Sequence, residues 1–201
     1  GIWPQAYFGL VCGEKQMTDA EFENRLLAFL DRRRQEMMRQ YDRILPTGEL
    51  LFNRYDKAAF LGTGDGTSIY DTSVIMGDVR LGSHVWVGPY TLLEGVHAPI
   101  SIGDFVSINS GVQIYSHDST KYYVSGGRVP FKKGPVTIGA HTVIGSMSMI
   151  ACGVTIGNGC VVGANSMVTQ DIPDGHIAAG TPAKLIGKIE VLEDDVLFHY
   201  F

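Results

Sequence analysis

Aliphatic residues recur along this chain at an interval that neither a helix nor a flat strand produces. From Ile69 they return at Ile75, Leu81, Val87 and Leu93, six residues apart each time. After three extra residues they resume at Ile102, Ile108 and Ile114, and after a longer break at Ile138, Ile144, Ile150, Ile156, Val162 and Val168. A glycine follows the aliphatic at Gly82, Gly88, Gly103, Gly139, Gly145, Gly157 and Gly163, and four places after the aliphatic a small or β-branched residue recurs, as at Ser73, Thr91, Thr142, Ser148, Cys160 and Ser166. Helical stripes repeat at about 3.6 residues and strands at about 2, so six is a unit in its own right. Such a unit is a short strand plus a turn, with the aliphatic inward and glycine where the backbone bends without a Cβ clash. Three units close one coil, which predicts that residues eighteen apart, such as Ile138 and Ile156, stack along an interior row. Each coil then buries its neighbour's apolar edge, and the fold class is an all-β solenoid.

The pattern changes before the repeat. Thr18-Asp19-Ala20-Glu21 has the form of a capping box, and Phe22, Leu26, Leu30 and Met37 recur at helical spacing, which predicts an amphipathic helix from Thr18 to about Tyr41. Arg32, Arg33 and Arg34 are interleaved with Glu21, Glu23, Asp31 and Glu36, the signature of a solvated face. The chain therefore divides into an N-terminal helical segment (1–62), the repeat domain (63–189, with an extruded loop at 115–136) and a C-terminal tail (190–201). The tail's aromatic end is expected to cap the solenoid or to cross to a neighbour.

Composition narrows the function. With 201 residues there is room for one good-sized domain, and a net charge of −5 lacks the basic footprint of a nucleic-acid binder. No apolar run reaches the length of a membrane span, and GIWPQAYFGLVCGEK lacks the basic lead and long apolar stretch of a signal peptide. The expectation is a soluble, cytoplasmic protein. Cys12, Cys152 and Cys160 form no C-x-x-C, and their odd number argues for reduced thiols.

The stretch TIGAHTVIGSMSMIACGVTIGNGCVVGANSMVTQDIPDGHIAAGTPAKLIG resembles the hexapeptide-repeat acyltransferases, in particular the saccharide O-acetyltransferase branch that includes galactoside and maltose acetyltransferases. The likeness runs from about Ser68 to Ile189 and ends in a specific signature from Asp171 to Lys184. It implies a left-handed parallel β-helix, a homotrimer and acetyl-CoA as co-substrate, with no metal. It also implies roles for residues. A histidine at the start of the excursion is the base in these enzymes, and His117 matches it; the Ser146 amide would face the oxyanion. Ser146, Ala164 and Thr169 would lie along the pantetheine arm, Lys184 would meet the CoA phosphates, and Ala179 to Pro182 would turn beside the nucleotide. Gln170 stands where a lysine is common and Val143 where a tryptophan often sits, so phosphate anchoring would shift, for instance to Lys188.

The excursion is itself visible as a step of 24 between Ile114 and Ile138, carrying SHDSTKYYVSGGRVPFKKG. A loop on a rigid scaffold is the natural place for chemistry. A sugar hydroxyl is a poor nucleophile until deprotonated, and a neutral imidazole takes that proton and returns it. Asp118 neighbours His117 on an extended segment, where adjacent side chains point to opposite sides, so a substrate-binding or loop-structuring role suits it better than orienting the base. Glu94, Tyr90 and Asn109 precede His117 in the coils and can bond sugar hydroxyls, though they fit solvated turn positions equally well. Tyr122, Tyr123, Phe131 and Arg128 would form a stacking wall for a sugar or polysaccharide or lipopolysaccharide precursor. His84, His97, His141, His176 and His199 match no position of the family and are expected to carry no role.

Three other readings stand beside this one. An N-acetyltransferase of a nucleotide-linked amino sugar would use the same base and thioester site. A zinc carbonic anhydrase on the same solenoid needs three histidines, two of them closely spaced as in H-x-x-x-x-H, and no such pair occurs. A non-catalytic scaffold would have no reason to keep both the histidine-bearing excursion and the CoA-end signature.

Overall fold

The computed structural model describes residues 17–201, so Cys12 lies outside the described residues. The described chain forms two compact units, divided between Leu51 and Phe52. In the described part of the first, helix α1 (Asp19–Tyr41) starts as its sequence predicts: the Thr18 hydroxyl accepts from the Glu21 amide while the Glu21 carboxylate takes the Thr18 N–H. Its Leu30 is buried, as is Leu50 of helix α2 (Thr47–Leu51), and Arg33 donates through Nε to the Leu50 carbonyl at 3.3 Å. Arg33 also pairs with Glu36 at 2.8 Å, a surface pair as the charge pattern suggested.

Helix α3 (Arg54–Phe60) belongs to the second unit. Asn53 caps it by accepting from the Tyr55 amide, it packs on the strand Ser68–Ile69, and its Ala58 is buried in the core of the repeat. The helical segment read as ending at residue 62 thus gives its last helix to the second unit.

The repeat folds into parallel strands stacked in three rows. The first holds Ser68–Ile69, Trp86–Val87, Ser107–Ile108, Val143–Ile144, Val161–Val162 and His176–Gly180. The second holds the leading parts of Val74–Leu81 and Leu92–Ile102, then Gln113–Tyr115, Met149–Ile150 and Met167–Val168; the third holds the trailing parts of the two long strands, then Val136–Ile138 and Thr155–Ile156. Pairs such as Val143↔Val161, Met149↔Met167 and Thr137↔Thr155 are eighteen residues apart, the interval predicted for one coil.

The recurring residue types now have physical reasons. The inward aliphatics Ile69, Val87, Ile108 and Ile144 of the first row are fully buried and stack coil on coil. Small hydroxylated residues in the turns staple neighbouring coils: Ser73 donates to the Gly88 carbonyl at 2.8 Å, Thr142 to Gly157 at 3.0 Å and Ser148 to Gly163 at 2.9 Å. Cys160 occupies the same kind of position, donates to the Pro173 carbonyl and is buried, which pushes its thiol pKa up. We expect Ile144→Ala to cost about 2–5 kcal/mol, whereas Val143→Ala, next along the strand and outward-facing, costs about 0.5 kcal/mol or less. Denaturant midpoints of the two variants check this.

At the C-terminal end His176–Gly180 turns through Thr181 and Pro182 into Ala183–Val191, which pairs in turn with Val196–Tyr200. The tail is therefore the outer strand of an antiparallel extension of the first row. Among the described residues no helix is long and apolar enough to cross a membrane.

Candidate active site

Both irregularities of the repeat fall at one corner, between the second and third rows. In the pairing of Val74–Leu81 with Leu92–Ile102, Gly77↔Gly95 is followed by Val79↔Ile100, so three additional residues bulge out of the upper strand and carry His97 with them. One coil on, the excursion leaves from the same place. The Ser116 amide donates to the Glu94 carbonyl at 2.9 Å, the His97 amide to the Ser116 hydroxyl at 3.1 Å, and the returning Gly134 amide to the Ser116 carbonyl at 3.0 Å.

The excursion has its own structure. His117–Asp118 pairs antiparallel with Lys132–Lys133, and helix α4 (Thr120–Val124) lies between them. Asp118 accepts from the Thr120 amide at 2.8 Å. Hydrogen bonds from the Thr120 side chain and amide hold its carboxyl below the usual range. Of the two roles open to Asp118, the structure displays the loop-structuring one.

His117 is oriented by Glu94. Its Nδ1 lies 2.8 Å from Glu94 Oε2, and because an ionised carboxylate only accepts, the proton sits on Nδ1 and Nε2 keeps its lone pair. The same oxygen accepts from the Ser116 hydroxyl at 3.1 Å and the Ser116 amide at 3.3 Å, while Oε1 accepts from the Val96 amide at 3.0 Å. Glu94 is buried, and burial opposes its charge; the bonds from His117, Val96 and Ser116 together outweigh that cost and hold the carboxyl below the usual glutamate range. Phe131 stacks on the His117 ring at 5.6 Å between centroids, Tyr122 meets Phe131 edge-on at 4.9 Å, and the His97 ring lies 4.3 Å from that of His117. Glu94, read from sequence as a sugar ligand, thus has its carboxylate engaged in positioning the histidine.

A depressed folded-state pKa means that the Glu94 contribution to stability is fully present above the ordinary glutamate range and is lost as pH falls through the lowered value. Glu94→Gln should accordingly melt below wild type by a constant margin from neutrality down to about pH 5 and converge with it in stronger acid. Loss of a charge-assisted bond worth about 1.5–3 kcal/mol should also slow any reaction that uses His117 as its base roughly ten- to a hundredfold. Melting curves across pH and rate assays on the variant check both.

The remaining sequence-derived residues lie elsewhere. Ser146, Ala164, Asn109 and Tyr90 follow first-row strands and sit at the corner between the first and second rows. The Ser146 carbonyl accepts from the Asn165 amide at 2.9 Å, while its own amide has no acceptor among the described residues. Gly145 lets the coils approach here, since a Cβ on it would come within 2.5 Å of the Ala164 nitrogen. Asn109 Oδ1 accepts from the Ser107 hydroxyl, and Tyr90 is exposed. Thr169 follows a second-row strand at the His117 corner, and Lys184 is exposed on Ala183–Val191. His117 and Ser146 are thus at opposite ends of the second row, a crossing of about five residues or roughly 16 Å.

His97, expected to carry no role, stands beside His117. The signal was present as the three extra residues between Leu93 and Ile102, one coil before the break at Ile114. The other histidines stand apart. His84 and His141 flank Phe105 in a ring stack at the third corner, with centroids 4.5 and 5.5 Å from it; His176 donates to the Asp174 carbonyl, and His199 pairs with Glu190 on the surface. Among the described residues the donors that converge are two histidines and a glutamate, not the three histidines of an anhydrase.

Stacked six-residue units with a histidine-bearing excursion define a hexapeptide-repeat protein, and residues 135–170 match the family profile described as the hexapeptide repeat of succinyl-transferase. The chain belongs to the hexapeptide-repeat acetyltransferase family. Protein CapG of Staphylococcus aureus is 45% identical over 105 residues, which are 49% of this chain and 58% of CapG, so the chain spans little more than half of that relative's length. Among solved structures, AntD, an N-acyltransferase from Bacillus cereus in complex with dTDP and 3-hydroxybutyryl-CoA, shares 33% identity at a TM-score of 0.57, over 62% of this chain and 70% of AntD. The hexapeptide-repeat acetyltransferase VCA0836 of Vibrio cholerae, complexed with acetyl coenzyme A, superposes with a TM-score of 0.62 at 25% identity, over 89% of this chain and 95% of its own.

Proposed function

We propose that the protein is an acetyl-CoA-dependent O-acetyltransferase acting on a hydroxyl of a sugar or of a polysaccharide or lipopolysaccharide precursor, as a homotrimer of left-handed parallel β-helices. The observation that carries the reading is the Glu94–His117 pair at the head of the excursion. With its proton held on Nδ1 by Glu94, His117 takes the acceptor's proton on Nε2 as the hydroxyl oxygen attacks the thioester carbonyl. The oxyanion that forms is met by the Ser146 amide, whose N–H has no partner among the described residues. Collapse breaks the C–S bond, and the proton on His117 Nε2 passes to the departing CoA thiolate. No covalent acetyl-enzyme and no metal take part.

The placement of His117 and Ser146 at different corners supports the trimer, because the two can meet on one thioester only if neighbouring copies each supply one of them. Ala164 and Thr169 would then line the pantetheine arm and exposed Lys184 the phosphates. Dependence on acetyl-CoA goes with a cytoplasmic location. Likeness to AntD, also solved with dTDP-4-amino-4,6-dideoxyglucose and coenzyme A, favours a second reading, acylation of an amine on a nucleotide-linked sugar, for which the same base and oxyanion donor serve.

Calorimetry with CoA tests the donor half of the proposal. One site per chain, indifferent to chelator and weakened several-fold by Lys184→Ala through loss of a charge-assisted phosphate contact, is expected. Absence of CoA binding would remove the transferase reading altogether.

A further inference from the structure

The geometry of the His117 corner points to a second property: we infer that Glu94, His97 and His117 bind one divalent transition-metal ion of the zinc class per chain, and that the bound ion shuts off the base. The inference about blocking rests on the transferase reading; the inference about binding does not. One donor atom from each of the three residues lies within 4.8 Å of the others. Zinc holds nitrogen and oxygen donors at about 2.0–2.2 Å in a tetrahedron, so the three need to close up by only about 1–1.5 Å, within reach of a side-chain rotation.

Each donor is already supported. His117 is held by Phe131, Glu94 is buried, and the His97 backbone is fixed on the Ser116 hydroxyl. The His97 ring makes no hydrogen bond among the described residues, and its neighbours are the rings of His117 and Phe131. Its imidazole is thus free to ligate and is turned toward the one other imidazole at the site. Two imidazoles with one carboxylate suit zinc and its later first-row neighbours rather than magnesium or calcium, which prefer all-oxygen sites. Three protein donors leave a fourth position for water.

Coordination and base catalysis exclude each other here. If the ion binds His117 at Nε2 it takes the lone pair on which the proton transfer depends, and if it binds at Nδ1 it displaces that proton onto Nε2; either way the loaded protein has no base.

The test uses tag-free, chelator-stripped protein titrated with zinc sulfate against a chromophoric chelator, with no acyl donor present. One zinc per chain is expected in wild type, with affinity at least tenfold lower in His97→Ala and in His117→Ala while both variants keep the wild-type fold by circular dichroism. Cobalt(II) in place of zinc should give the intense visible bands of a tetrahedral site in wild type and lose them in His97→Ala. No uptake by wild type, or equal uptake by His97→Ala, overturns the site. Thiol release from acetyl-CoA then reads the second part: zinc should abolish it and chelator restore it, and full activity in zinc-saturated protein overturns the blocking. If metal-free protein transfers acetyl to nothing, the transferase reading fails while the zinc titration still stands or falls by itself.

Discussion

Replacing His117 by alanine should lower acetyl transfer by about 10²–10⁴-fold, the range lost with a general base, while leaving the fold and CoA affinity close to wild type. The two halves of that expectation have different physical grounds. The imidazole is partly exposed, its side chain retaining 23% of its accessible surface, and it sits on the excursion rather than among the fully buried aliphatics, so the coils keep their packing without it. Proton removal from a hydroxyl has no substitute, because Glu94 is buried behind the ring and Asp118 is committed to the Thr120 amide. Single-turnover rates alongside CoA calorimetry separate the two. An equal loss of CoA binding and rate would assign His117 to the donor site instead.

The second large effect concerns the Ser146 amide. Ser146→Pro deletes that N–H, which bonds no acceptor among the described residues, and circular dichroism checks that the coil accepts the ring's fixed φ. Losing one oxyanion donor should cost about 10²–10³-fold. Because His117 and Ser146 occupy different corners, the two variants should complement each other. Neither is active alone, yet refolding them together in equal amounts should restore about a quarter of the sites, those pairing an intact histidine from one copy with an intact amide from the next. Mixed samples that stay inactive, with trimer formation verified by light scattering, would put both groups of each site in one chain.

The periodic part of the fold was legible because each buried aliphatic faces the same environment as the one eighteen residues away, so one physical demand is written many times over. Ile108 and Ile144 were found that way, and so was the break that carries His117. What escaped was written only once. Glu94 meets His117 through a contact between residues 23 apart, and nothing in either residue's surroundings in the sequence signals it. His97 is brought to the site by a three-residue bulge whose direction depends on which corner it occupies. Counting coils shows that the bulge and the excursion share a corner, but only backbone geometry turns the ring toward His117 and not outward. The burial of Ala58 of helix α3 against the first coil is likewise a contact that no local pattern announces. Ser146, by contrast, came from resemblance alone, and an amide without an acceptor among the described residues is a property of backbone that no residue type announces.

Acetyl transfer to a sugar hydroxyl by way of His117 is the central claim, and one measurement bears on it directly. Thiol release from acetyl-CoA should be followed with a panel of mono- and oligosaccharides, divided into hydroxyl-only and amino sugars including nucleotide-linked ones, with His117→Ala run in parallel on chelator-treated protein. Turnover on at least one hydroxyl-only saccharide, reduced by about 10²–10⁴-fold in the variant, is the predicted result. Turnover confined to amino sugars would contradict O-acetylation, and equal rates in wild type and variant would contradict the role of His117.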